Sequence, residues 1–204
     1  MDMQLLLQAP ATLALLAANA LISFTGFSNV ALTDALMMDV GRMRRNNEWY
    51  RAVTSGFVHA DTFHLLMNML TLFFIGPVLE YMVGTLPFLA IYMVSLLGGS
   101  AWALLDNFRD MSYRALGASG AISGVTIAFA LFAPFAMIVV LIVPMPAILF
   151  AFLYILYSAF ASGRIRDGIG HAAHLGGALA GLVMVCLFWP EAPRDLWQQI
   201  LARF

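Results

Sequence analysis

Residues 117–124 read GASGAISG, seven small residues and one isoleucine in a chain otherwise dominated by large apolar side chains. Small residues let helix backbones approach closely inside a membrane, and Gly120 and Gly124 form a GxxxG pair of that kind. The spacing recurs downstream as Gly177 and Gly181, so two segments carry matching smooth faces. Ser119 stands beside the first of these glycines, and close packing is how one helix would bring its serine against another.

The composition sets the environment of these faces. Apolar residues make up 62% of the chain and charged residues 10%, with a mean hydropathy of +0.89, whereas soluble domains carry roughly 25% charged residues. At about 20 residues per crossing, 204 residues hold about five to seven membrane spans and no sizeable soluble domain. The net charge is −1, and the ten basic residues are all arginine, scattered rather than massed into a stripe that could neutralise phosphates. Nucleic acid is therefore not an expected partner; the lipid bilayer is. The single cysteine, Cys186, rules out an internal disulfide or a CxxC site and reads as a small core residue. The N-terminal run MDMQLLLQAPATLALLAANALISF has no positive leading segment and no small-residue cleavage site, so it reads as retained rather than as a signal peptide.

Apolar runs predict helices over 9–31, 63–83, 86–106, 117–134, 136–161 and 169–190, an all-α bundle of six membrane helices forming a single domain over 1–204. The connection 32–62 mixes Arg42, Arg44, Arg45, Arg51, Asp34, Asp39 and Glu48 with Met37, Met38, Trp49 and Phe57, which suits a segment lying in the interface. Gly84 with Pro87, then Pro134, then SGRIRDG at 162–168 separate later helices. Pro144 and Pro146 fall inside the fifth, which is expected to be kinked or partly broken because each removes a backbone donor and obstructs the preceding turn. In the tail, 193–204, Leu196, Trp197, Ile200, Leu201 and Phe204 recur at helical spacing and predict a short amphipathic helix on the surface.

Helices two, four and six enter the membrane from the same side. His64 and Asn68 open the second, Ser119 the fourth, and His171 and His174 the sixth, all within the first two turns and so within roughly 10 Å of one membrane face. Polar residues inside a bilayer are costly and by default mark function. A serine becomes a nucleophile when a base lies within hydrogen-bond reach, and histidine is the usual base. His174 lies on the stripe of Ala178 and Gly181 and is the expected base. His171 shares that face nearer the surface, as a rival base or a solvated, substrate-contacting accessory. Glu80 lies at the far end of helix two, and Asp106 and Asp110 precede helix four, so a Ser-His dyad is expected rather than a triad. The Ser119 amide at a helix start, with His64 and Asn68, could donate to an oxyanion; for Asn68 an interhelical hydrogen bond is the equal alternative.

At this point the residues resemble the rhomboid family of intramembrane serine proteases. The resemblance covers about 49–185 and rests on GASG (117–120), AHLGGALAG (173–181) and HLLMN (64–68) in that order. Gly76, Glu80 and Gly84 are similar to the family's GxxxExxxG, and Trp49 with Arg51, separated by Tyr50, to its Trp-Arg signature. The resemblance implies a six-helix core that cleaves transmembrane protein substrates without a metal or cofactor. Ser119 corresponds to the nucleophile, His174 to the general base, and His64, Asn68 and Gly117 to the oxyanion and substrate site. Arg51, Glu80, Gly120, Gly124, Gly177 and Gly181 then have structural roles. His171 occupies a position where a neutral polar residue would be expected. A multi-pass protein of a bacterial inner membrane is the expected setting. Eight arginines (42, 44, 45, 51, 109, 114, 164 and 166) fall on the side of the site and two (194 and 203) on the other. The positive-inside rule would turn that side to the cytoplasm, while the resemblance implies an extracytoplasmic site; we follow the resemblance, because four of the eight sit in the interfacial connection. Two other classes are weighed: a non-catalytic relative that binds or escorts membrane clients, and a histidine-ligated metal or haem protein, for which HExxH and thiolate sets are missing from the sequence.

Overall fold

A computed structural model describes residues 3–140, 143–162, 164 and 170–203. Its elements are α1 (Met3–Leu7), α2 (Pro10–Ser28), α3 (Val30–Leu36), β1 (Met38–Asp39), α4 (Val40–Asn46), α5 (Arg51–Thr54), α6 (Thr62–Val83), α7 (Thr85–Asp106), β2 (Arg114–Ala115), α8 (Ser119–Phe132), β3 (Met137–Val140), β4 (Val143–Pro146), α9 (Ala147–Ala161), α10 (His171–Phe188) and α11 (Ala192–Leu201). Among the described residues, α2, α6, α7 and α10 are long and apolar enough to cross a membrane; α8 and α9 are apolar but shorter.

α8 is the central post. Every residue from Gly120 to Leu131 is buried, as expected of a helix that is apolar all round. α7 and α10 pack most closely on it, at backbone range. A Cβ at Gly177 would collide with the Gly120 carbonyl, and one at Gly181 would lie 2.5 Å from the Gly124 Cα and 2.6 Å from its carbonyl oxygen. On the α7 side, a Cβ at Gly99 would meet the Gly120 Cα at 3.4 Å and the Ala173 carbonyl of α10 at 2.6 Å, and one at Gly124 would strike Ser95. The matching GxxxG faces read from the sequence thus meet each other.

The Gly76, Glu80 and Gly84 positions seat the first long helix. Helix starts leave backbone N–H groups without intrahelical acceptors, and the buried Glu80 carboxylate accepts from Ala11 N (3.0 Å), Thr12 N (2.8 Å) and the Thr12 hydroxyl (2.8 Å) at the start of α2. It also accepts from the Thr85 hydroxyl at 2.9 Å. A Cβ at Gly76 would press on the same Thr12. Gly84 turns α6 into α7 with φ +87°, a conformation that favours glycine.

The interfacial connection is structured. Arg51, fully buried, donates from Nε to Glu48 at 2.6 Å and from Nη1 to the carbonyls of Asp34 (2.7 Å) and Met37 (2.6 Å). Arg42 pairs with Asp34 and Glu48, and Arg114 with Asp39 and Asp34. Hydrogen bonds from Asn46 and Arg51 hold the Glu48 carboxyl at about 2. Its contribution to stability is therefore complete above the ordinary carboxylate range and fades as pH falls toward 2. β1 pairs antiparallel with β2, Met38 opposite Ala115 and Asp39 opposite Arg114, so this segment is stitched to the strand that leads into α8.

The fifth helix departs from expectation. The helix expected over 136–161 is a β3–β4 hairpin, with Met137 opposite Pro146, followed by α9 from Ala147. The two prolines cannot donate within a helix, and the β-branched residues before them favour strand. The fold is mostly helical, as expected, and among the described residues two short two-stranded pairs accompany the helices. The 9–31 run is also divided, α2 ending at Ser28 and α3 starting after an Asn29 cap that accepts from Leu32 N. Of the 162–168 connection, Ser162 and Arg164 are described, and Arg166 lies outside the described residues, as does Phe204 of the tail.

Glu80→Ala strands four donors in the bundle and is expected to lower unfolding stability by about 3 kcal/mol or more, given about 1–3 kcal/mol per buried unsatisfied group. Gly177→Ala forces α8 and α10 apart and should cost at least the ~1–3 kcal/mol of core overpacking. Thermal and denaturant unfolding in detergent micelles measure both.

Candidate active site

Ser119 is the first residue of α8, where its amide has no acceptor within the helix. His174 sits in the first turn of α10, whose backbone already touches that of α8. The packing brings His174 Nε2 to 2.8 Å from Ser119 Oγ, across 55 residues of sequence. Both residues are half-buried.

Tyr154 of α9 completes this arrangement. Its ring stacks on His174, centroids 5.9 Å apart and planes within 26°, and its hydroxyl lies 2.6 Å from Ser123 Oγ. Ser123, one turn below Ser119, donates to the Ser119 carbonyl at 2.6 Å. The Ser123 proton is thereby committed, so Tyr154 is the donor in the remaining bond. Tyr154 was not singled out from the sequence: it is one aromatic among many on an apolar helix.

His171, the rival base, lies in the first turn of α10 beside His174. It is buried at 4% exposure, not solvated as its place near the surface suggested, because Tyr157 lies edge-on over it at 5.3 Å. It meets His174 edge-to-face at 6.1 Å.

The backbone before Ser119 is held open by Gly117, whose φ of +119° favours glycine. The His64 imidazole lies against it: a Cβ there would come within 2.6 Å of His64 Cε1 and 2.8 Å of Nε2. The Gly117 amide donates to the Ser55 carbonyl at 2.9 Å. Asn68, one turn further along α6, spends one amide hydrogen on the His64 carbonyl at 2.8 Å, a bond within its own helix rather than between helices. The other amide hydrogen is the one it can offer to a substrate. Asp61 caps α6 by accepting from the His64 amide at 2.8 Å, which fixes where the helix and its histidine begin.

His59 packs edge-on to His64 at 5.0 Å and is buried beside the same backbone.

Chemically, the arrangement offers a hydroxyl beside an imidazole, an aromatic ring stacked on that imidazole, an amide at a helix start, and the His64 ring against the Gly117 backbone before it. Those are the parts of acyl transfer through a serine.

Comparison with known proteins agrees with the motifs. A sequence profile of the Rhomboid domain matches residues 46–191. The chain belongs to the rhomboid family. It is 36% identical over 137 residues to Rhomboid protein 1, mitochondrial, of Saccharomyces cerevisiae, covering 64% of this chain and 39% of the yeast protein. It is 29% identical over 178 residues to Rhomboid protease AarA of Providencia stuartii, covering 77% and 61% respectively. Putative rhomboid protease YdcA of Bacillus subtilis is 39% identical over 79 residues, 39% of each chain. The match spans less than two thirds of the length of each of these relatives. They come from bacteria and from mitochondria, so rhomboid membership assigns a multi-pass membrane protein rather than one particular membrane.

Tyr154→Leu removes the ring over His174 and the donor to Ser123. An aromatic pair contributes about 0.5–1.5 kcal/mol, so the reactivity of Ser119 toward a phosphonylating probe is expected to fall roughly three- to tenfold. Tyr154→Phe, which keeps the ring, should stay closer to the parent. Equal loss in both would assign the effect to the hydroxyl.

Proposed function

We propose that this rhomboid is an active intramembrane serine endopeptidase that cleaves transmembrane segments of other membrane proteins. The observation that carries the reading is the 2.8 Å pairing of Ser119 Oγ with His174 Nε2 at the starts of α8 and α10. A rhomboid relative serving only to bind clients has no use for that pair.

In this reading Ser119 attacks a substrate carbonyl while His174 takes its proton. The tetrahedral oxyanion accepts from the Ser119 amide, from His64 and from the spare hydrogen of Asn68. His174 then protonates the leaving amine, and a water activated by the same imidazole releases the acyl group. Tyr154 keeps the imidazole plane fixed throughout. α8 and α9, though short, complete a six-span bundle with α2, α6, α7 and α10. The site faces the extracytoplasmic side, and several of the arginines beside it act as structural ties within the interfacial connection.

Carbonyls of an intact helix are hydrogen-bonded and shielded, so attack needs a locally unwound strand. Substrates with Gly or Pro near the membrane surface are preferred over rigid Leu-rich helices.

The test is covalent labelling of the purified chain with a fluorophosphonate, with the adduct located by mass spectrometry. Labelling is expected at Ser119, absent in Ser119→Ala, and slowed about 10²–10⁴-fold in His174→Ala, the usual value of a general base. A folded protein that takes no label would favour the client-binding role.

A further inference from the structure

The amide next to the nucleophile is held by a side chain outside the Ser119–His174 pair. Ala118 N–H donates to His59 Nε2 at 3.2 Å. A backbone amide can only donate, so Nε2 carries no proton and a neutral ring has its proton on Nδ1. Nδ1 faces Ser23 Oγ at 2.9 Å, and Ser23 passes its own proton to the Phe57 carbonyl at 3.1 Å. The chain of bonds runs from α2, through His59, to the residue preceding Ser119. It has one consistent direction and one consistent tautomer.

We propose that His59 is a positioning residue for the nucleophile: its unprotonated Nε2 holds the Ala118 amide and so fixes the backbone that presents Ser119, and protonation of His59 releases that hold. The inference rests on the protease reading above.

Geometry makes the hold conditional on the proton. A protonated ring would aim a second N–H at the Ala118 amide, donor against donor. The titratable groups around the ring are His64 of α6, edge-on at 5.0 Å, and Asp61, the cap that precedes α6. α2 contributes Ser23 and the start of α8 contributes Ala118, neither of which titrates in this range. Burial, aided by His64 and opposed by Asp61, pushes the imidazole down to about 4. The ring is thus neutral and holding at neutral pH, and it lets go as pH falls through about 4. Although 2% exposed, His59 lines a cleft of about 310 Å³ with Gly26, Phe27, Val30, Thr33 and Ala60.

The experiment uses the full chain in detergent, with His59→Ala and His59→Gln. Two quantities are read: amide exchange in the peptide containing Ala118, and the rate of fluorophosphonate labelling at Ser119 between pH 3 and 8. His59→Ala should speed the exchange and slow the labelling at neutral pH, each by about tenfold, the worth of one hydrogen bond. His59→Gln supplies an acceptor that does not titrate, so it should recover labelling to within about threefold of the parent. Below about pH 4 its labelling should fall less steeply than the parent's, by one power of proton concentration. A packing role alone would leave that steepness unchanged. Parental exchange at Ala118 in His59→Ala, or parental steepness in His59→Gln, overturns the proposal. Should His59→Ala fail to fold, the glutamine variant still decides. A parent chain with a protected Ala118 amide and an unlabelled Ser119 is instead a failure of the protease reading, and the exchange rates tell the two failures apart.

Discussion

Backbone-to-backbone contact between α8 and α10 is the constraint on which the site depends. Without a hydrophobic drive between helices in lipid, association there relies on close van der Waals packing and the removal of side chains that would prevent it. Gly120, Gly124, Gly177 and Gly181 remove them at four successive points. Once the two helices touch, the position of His174 relative to Ser119 is decided by helical geometry rather than by the side chains themselves. The 2.8 Å separation is a consequence of four missing Cβ groups.

Around that contact the molecule fixes the remaining freedoms one at a time. Tyr154 sets the plane of the imidazole, Ser123 ties the Ser119 carbonyl, and His59 holds the amide before it. Each partner comes from a different element: α9, α8 itself, and the turn before α6. The interfacial connection adds a further tie through β1 and β2, anchored by the buried Arg51 and its carbonyl partners. The hydroxyl is thus held from several directions while it stays half-buried.

Much of this was legible in the sequence because the signals were local. The absence of side chains at 120, 124, 177 and 181 is visible without coordinates, and helix parity alone put Ser119, His64 and His174 at one depth. Glu80 was legible as structural by resemblance, but its task, capping α2 across 68 residues, was not, since nothing local marks Ala11 and Thr12 as its donors. Tyr154 was hidden for the opposite reason: the fifth helix is rich in aromatics, and only packing says which one faces the histidine. The β3–β4 pairing was missed because periodicity cannot separate a short apolar helix from a strand, and the prolines were read as kinking or partly breaking the helix rather than as preceding its start. His171 misled through depth alone, since its cover, Tyr157, comes from another helix.

The long separation between the two reacting side chains has a consequence for biosynthesis. Ser119 is translated 55 residues before His174. At the usual ~5–20 residues per second that interval lasts several seconds. During it the nascent chain carries a hydroxyl with no base, inserted among other newly made membrane segments. The Ser119–His174 pairing forms only when α10 has packed its glycines against the central post. The order of the helices along the chain thus acts as a timer for that pairing, and a product truncated before His174 lacks it.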